Sequence, residues 1–374
     1  MLKQENVNPE LLEVYFDFEQ SIYFLKNMTN IIAGKFRKAM AQLNQRGLIL
    51  MYHRIIALDR DPWQLCVSPS HFEEQMQIIK KYARIVKMKD MGRNLNQLNL
   101  GRKEVVVSFD DGYSDNYHNA RPILEKNEIA ATFFIVSGAV SSNEEFWWDE
   151  LGRVILTTNT LPKIFELTIG GKDCHWKISD GKKREASDYG SGSAEAPQTG
   201  AVLNALQLYF ALWEVLSHLP LLQKKEVLLQ IGKWAGDRHI PRADYLPMKP
   251  SEITVLARHS LFEIGAHTFN HPMLSRLSAD EQEDEIARSK HDLENMIERP
   301  IMSFSYPHGS YSEVTIEIVN RLKFHHACTV GHGLVTRKTN PFLLPRFTVL
   351  DWDGDLFEQN LRKWLEQSGE GEGK

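Results

Sequence analysis

Two short segments carry side chains of the kinds that hold metals and move protons. Ser108-Phe109-Asp110-Asp111-Gly112 places adjacent carboxylates at the end of an apolar run, and His267-Thr268-Phe269-Asn270-His271-Pro272 places two imidazoles four residues apart after another. Two histidines and one carboxylate make a three-ligand site for a divalent ion, with positions left open for water and substrate. Neighbouring side chains on a strand point to opposite faces, so one of the two aspartates can bind the ion while the other takes a proton from water. Either segment alone has a plainer explanation, since carboxylate pairs cap turns and spaced histidines decorate surfaces. Both at strand exits, they point to one site.

The elements that must position these groups follow from hydrophobic periodicity. LILMY at 48–52 is an apolar run ending at His53, and VVVSF at 105–109, ATFFIVSG at 131–138, LFEIGA at 261–266, SFSY at 303–306 and HHACTV read as further buried strands. Between them lie helical stretches. One is opened by Ser70, with Phe72, Met76, Ile79 and Tyr82 on one face; one carries Ile123 and Leu124; one runs from a Ser278/Glu281 capping box through Met296; one spans 312–322. Strand and helix in alternation predict a parallel sheet or barrel, whose strand C-termini are where ligands and catalytic groups gather. The pattern breaks from 147 to about 245. There a hairpin at Gly170-Gly171, a polar loop over 179–200 and a helical stretch with Leu203, Leu206, Tyr209, Phe210 and Trp213 on one side read as an insertion within the main domain.

Composition narrows the function classes. The chain has 374 residues, 42% hydrophobic and 25% charged, which excludes wholesale disorder. A net charge of −5 gives no general attraction to nucleic acid, and no nucleic-acid partner is expected. Three distant cysteines, Cys66, Cys174 and Cys328, do not make a disulfide framework and are expected to be buried small hydrophobes. MLKQENVNPELLEVYF lacks the pattern of a secretory signal, and no run reaches the roughly 18 to 20 apolar residues of a membrane span, so a cytoplasmic protein is expected. Residues 21–57 carry Lys26, Lys35, Arg37, Lys38, Arg46 and Arg54 with no acid, beside Met28, Ile31, Ile32, Phe36, Ala39 and Leu43. Such a helix either packs its apolar stripe on the main domain or, over 21–46, makes a peripheral contact with the inner face of a membrane.

SFDDG, HTFNHP and FSYPHG resemble, in that order, the first three motifs of the polysaccharide deacetylases, the NodB-homology or carbohydrate esterase family four proteins. The resemblance covers roughly 48–145 and 245–350. It implies an α/β fold, a distorted (β/α)7 NodB-type barrel over 47–360 interrupted by the mixed, largely helical insertion, with a helical segment over 1–46 and a frayed tail over 361–374. Residue by residue it assigns Asp111, His267 and His271 as ligands of a divalent metal, for which the His and Asp donors suit Zn²⁺, and Asp110 as the catalytic base. Ser305 falls where the family has the arginine that orients the base, and Arg346 is the candidate replacement. His308 falls on the family's oxyanion-hole tyrosine, whose backbone N–H does the work.

The family's last motif, an apolar strand ending in L-x-H that supplies the acid, is not found near the C-terminus. LILMYH has that form at the other end of the barrel sequence, as in the circularly permuted deacetylases of poly-N-acetylglucosamine, and His53 takes the acid role. Tyr306, Trp148 and Asp149 are candidates for substrate contact, and Asp351-Trp352-Asp353 reads as a helix start. The activity so implied is metal-dependent removal of acetyl from an N-acetylated sugar, in an acetylated polysaccharide or a lipid-linked oligosaccharide. The alternatives are an O-acetyl esterase on the same fold and a binding protein with a weakened site.

Overall fold

The computed structural model describes residues 47–91, 103–158, 160–179, 198 and 200–366. The segment 1–46, with its basic stretch 21–46, lies outside the described residues, as does nearly all of the expected loop 179–200. The tail expected from 361 is helical as far as Glu366, because Leu361, Trp364 and Leu365 of helix Gly354–Glu366 are buried.

Seven strands form the frame: Gly47–Tyr52 (β1), Glu104–Phe109 (β2), Ala131–Ile135 (β3), Phe262–Ala266 (β4), Ser303–Ser305 (β5), His326–Cys328 (β6) and Phe347–Thr348 (β7). All pair in parallel, in the order β6-β5-β4-β3-β2-β1-β7, with Leu50 opposite both Val107 and Phe347, and an eighth short strand, Arg84–Ile85, pairs in parallel with the start of β2 off this path. The stretch 341–349 closes the sheet on itself. Its first part exchanges backbone bonds with β6 (Leu344 N to Ala327 O and Thr329 N to Leu344 O, both 2.9 Å), and its last part bonds β1 (Val349 N to Met51 O, 3.1 Å). A parallel sheet whose edges meet in this way is a distorted seven-stranded barrel. The N-terminal β1 sits between β7 and β2, the position that makes a circular permutation possible.

Side-chain alternation sorts each strand into two layers. Leu48, Leu50, Tyr52, Val105, Val107, Phe109, Ala131, Phe133, Ile135, Phe262, Ile264 and Phe304 pack outwards against the helices in one core. Ile49, Val106, Phe134 and Cys328 point inwards, where Met88, Met91, Val335 and Leu344 join them. The inward positions nearer the strand ends are polar and buried: Ser108, Thr132, Glu263, Ser303 and Ser305. At Gly265 an added Cβ would stand 2.5 Å from the Phe134 ring, so the missing side chain is what lets that ring fill the interior.

The helices form largely where periodicity places them. Helix Pro69–Tyr82 buries Phe72, Met76 and Ile79, but its N-cap is Ser68, with Pro69 in the first turn, rather than Ser70. Ser278 and Glu281 form the capping box of helix Ala279–Ile297. Asp353 accepts from Leu356 N at 2.9 Å at the start of the last helix, as a cap does. Cys66, Cys174 and Cys328 are all buried and unpaired.

Residues after Trp147 build a second core. Helices Trp147–Leu156, Ala205–Ser217 and Leu221–Ala235 pack with the hairpin Ile164–Ile169/Lys172–Ile178, turned through left-handed Gly170 and Gly171. Tyr113 and Val136, from the loops after β2 and β3, belong to that same core, so it is seated on the C-terminal end of the barrel. Among the described residues no helix is long and apolar enough to cross a membrane.

Gly138, after β3, packs against the backbone of the histidine loop: a Cβ there would lie 2.5 Å from Phe269 O. Gly138→Ala is expected to lower stability by about 1–3 kcal/mol, read by chemical denaturation, because the neighbour is backbone and cannot rotate away.

Candidate active site

Asp110, His267 and Ser305 continue or end the inward parity of β2, β4 and β5, so all three face the barrel interior at its C-terminal end. Asp110 is 2% exposed, and its amide donates to Tyr52 O at 3.0 Å, tying the loop after β2 to β1. Arg346, fully buried in the closing stretch, meets its carboxylate end-on: Nη1 to Oδ1 and Nη2 to Oδ2 are both 2.7 Å. The same guanidinium donates to Ser305 Oγ at 2.9 Å and, through Nε, to Thr329 O at 2.9 Å. Ser305 Oγ lies 3.3 Å from Asp110 Oδ2. Burial alone would raise the Asp110 carboxyl, but Arg346 and then His267 outweigh it and hold the group well below the ordinary carboxylate range. Ser305 and Arg346 thus reach Asp110 from two elements, β5 and the closing stretch.

Adjacent carboxylates should diverge, yet Asp111 reaches the same site. Its φ of +70°, followed by Gly112 at +84°, turns the chain back so that the second carboxylate also faces the histidines. Asp111 Oδ1 lies 3.5 Å from His267 Nε2 and 3.3 Å from His271 Nε2. His267 places its Nδ1 2.7 Å from Ser305 O; donating that proton leaves the Nε2 lone pair towards the cluster. Burial holds His271 well below the usual imidazole value, so it is neutral, and its Nδ1 finds no partner.

The histidine pair is carried by a turn, not a helix. Thr268 and His271 are both left-handed, Thr268 Oγ1 accepts from His271 N at 3.0 Å, and Glu285 of helix Ala279–Ile297 accepts from Asn270 N at 2.8 Å and Asn270 Nδ2 at 2.7 Å. One donor atom each of Asp111, His267 and His271 gathers within 4.8 Å of the others. Two imidazoles with ring nitrogens turned to one point and a buried carboxylate beside them fit a divalent cation.

Around this centre the remaining candidates are placed as follows. His53 follows β1 with inward parity, beside Asp110 on the neighbouring strand, and its carbonyl accepts from Asn116 Nδ2 at 2.8 Å. His308 stands at a φ of +56° with its exposed ring 4.5 Å from that of His271. Trp148 packs its ring 4.9 Å from His271 and donates from Nε1 to Tyr113 Oη at 2.8 Å. Asp149 is engaged elsewhere, since its carboxylate accepts from Tyr113 Oη at 2.6 Å and burial pushes it up to about 7. Tyr306 is not on the substrate side at all. Its ring is fully buried between Phe304 and Tyr311, and its hydroxyl donates to Phe342 O at 3.1 Å, because its parity on leaving β5 points outwards. Trp213, noted in the sequence only as part of the insertion, stands 5.9 Å from His308. Glu285 had no signal in the sequence beyond its place in a helix.

The chain matches the polysaccharide deacetylase family model over residues 97–157 and 212–327. It is 28% identical to YxkH of Bacillus subtilis, a protein assigned to the polysaccharide deacetylases, over 133 residues, 35% of this chain and 45% of that one. It is also 28% identical over 151 residues to the poly-beta-1,6-N-acetyl-D-glucosamine N-deacetylase of Staphylococcus aureus, 37% of this chain and 52% of that one. The chain thus spans about half the length of these relatives. Its fold is that of the Streptococcus pyogenes deacetylase PplD, solved in complex with acetate, with a TM-score of 0.53 over 86% of this chain and 99% of that one at 20% identity.

Arg346→Met leaves Asp110 buried without its counter-charge and is expected to cost about 3–5 kcal/mol of stability by chemical denaturation. By titration with a divalent ion, Asp111→Ala is expected to abolish stoichiometric binding, and Glu285→Ala to weaken it about 10- to 100-fold through the freed histidine turn.

Proposed function

Because this chain carries a polysaccharide deacetylase domain, we propose that it hydrolyses the acetamido group of an N-acetylated sugar in a polysaccharide or glycan precursor. The observation that carries the reading is the carboxylate of Asp110, clamped by Arg346, with its Oδ2 3.9 Å from His267 Nε2 at the edge of the ligand cluster. A divalent cation held by Asp111, His267 and His271, for which we propose Zn²⁺, supplies a Lewis acid and lowers the pKa of water when bound.

The chain's own residues then divide the proton work. Asp110 stays ionised and takes the proton of the attacking water, and the Arg346 fork fixes which way its oxygens face. His53, which follows β1 beside Asp110 on the neighbouring strand, gives a proton to the departing nitrogen. An amide nitrogen leaves poorly without one, which is why an acid is needed as well as a base. The backbone at His308, held left-handed beside His271, serves the developing oxyanion. Trp148, buried against His271, shields one side of the site and offers the edge of an aromatic face to a sugar ring.

Acetate release from N-acetylglucosamine oligomers measures this directly. Asp110→Asn and His53→Ala are each expected to lower kcat by about 10²- to 10⁴-fold with the bound ion retained. Chelation is expected to abolish turnover and re-addition of the ion to restore it. Equal acetate release by wild type and Asp110→Asn would sink the assignment, and activity on O-acetylated oligosaccharides alone would move it to an esterase.

A further inference from the structure

Helix Leu221–Ala235 of the insertion turns one cation inwards. Lys224, in its first turn, is only 7% exposed, and its Nζ lies over the face of Trp147, 4.7 Å from the ring centre. It has no ion pair with any carboxylate among the described residues. The acid whose charge acts on it is Glu285, and Glu285 is already committed to Asn270 and to the amide of Phe269. Burial pushes the Lys224 ammonium down to about 8, and the neighbouring charge of Arg276 adds to that. Arg276 is itself exposed and, among the described residues, meets no carboxylate, reaching Ser217 Oγ at 3.3 Å and His218 Nδ1 at 3.2 Å. Two cations therefore share one flank of the site, and the acid nearest in charge to Lys224, Glu285, is taken up by the histidine turn.

That flank adjoins the chemistry. The Trp147 ring stacks 5.9 Å from Trp213, which meets His308 at 5.9 Å, and lies 5.7 Å from Trp148, which meets His271 at 4.9 Å. A lysine ammonium is a strongly hydrated point charge, and a cation–π contact recovers only part of the hydration lost on burial. An incoming anion would supply the rest.

We propose that Lys224, with Arg276 at the rim, forms an anion subsite that recognises a phosphate or carboxylate carried by the acetylated saccharide. The saccharide in this inference rests on the deacetylase reading; the anion subsite does not. Specificity is set here by charge, since the aromatic walls take any sugar ring while a lone buried cation favours a charged one.

Calorimetric titration of the metal-loaded protein with three probes tests it: methyl N-acetylglucosaminide, N-acetylglucosamine 1-phosphate and N-acetylmuramic acid. One or both charged sugars are expected to bind at least about tenfold tighter than the neutral one, the effect of one charge-assisted hydrogen bond. A preference for the first charged probe alone identifies phosphate, and for the second alone carboxylate. Lys224→Met is expected to erase the preference while leaving the neutral sugar's affinity within about twofold, and Lys224→Arg to retain part of it. Its thermal midpoint should not fall, since the change removes an uncompensated charge. Equal wild-type affinities, or a preference that survives in Lys224→Met, overturn the proposal. A Lys224-dependent preference with no acetate released from any saccharide would instead leave the anion subsite standing and remove the deacetylase reading.

Discussion

The paired hydrogen bonds between Arg346 and Asp110 are the contact on which the rest of the site is hung. Neither group could stay charged alone at this depth, since burying either ion without the other is strongly unfavourable. Together, with Ser305 Oγ, Thr329 O and, at 3.5 Å, Ser108 Oγ taking the remaining guanidinium donors, they satisfy one another. The pair also fastens the closing stretch to the end of β2 and, through Ser305, to β5. A carboxylate held from both oxygens has one orientation, set towards the cluster of Asp111, His267 and His271.

The geometry around that pair is kept by backbone that sequences seldom adopt. Asp111, Thr268, His271 and His308 all have φ between +56° and +70°, four of the nine non-glycine residues in that region among those described. Each left-handed residue costs roughly 1–2 kcal/mol, so the surrounding structure has to over-determine it. It does so visibly. Glu285 grips the histidine turn from below with both carboxylate oxygens, Gly138 lets the β3 loop lie against Phe269, and the amide of Asp110 is bound to β1. Strain concentrated at the clustered side chains and supported from a neighbouring helix and loops is the pattern expected of a site whose geometry matters more than its contribution to stability.

Much of this was legible in the amino-acid order because parallel strands impose a strict alternation. In β2, Val106, Ser108 and Asp110 share the inward side, and in β4 the same rule carries Glu263, Gly265 and His267 inwards, so each apolar run announced where its terminal polar residue would point. The rule misled where the chain left it. It predicts divergence for Asp111, which a left-handed turn cancels, and the expectation of a substrate contact at Tyr306 fails because that residue is one out of phase with Ser305. Arg346 could be named only as a candidate, since nothing local marks an arginine as the partner of a carboxylate more than two hundred positions earlier. Lys224 was invisible for another reason. One lysine on the inner face of a largely amphipathic helix has no signature until the neighbouring carboxylates are found to be occupied.

The closure of the barrel by residues 341–349 has a consequence for the order in which the molecule comes into being. As the chain leaves the ribosome, β1 emerges first among the strands and must wait for its second neighbour until nearly three hundred further residues have been made. Over that interval the polar interior is open along one seam, and Asp110 has a hydrated carboxylate rather than a clamped one. The guanidinium that finishes the reactive centre and the strand that seals the wall arrive within two residues of each other, so maturation of the site and completion of the cylinder are a single late event.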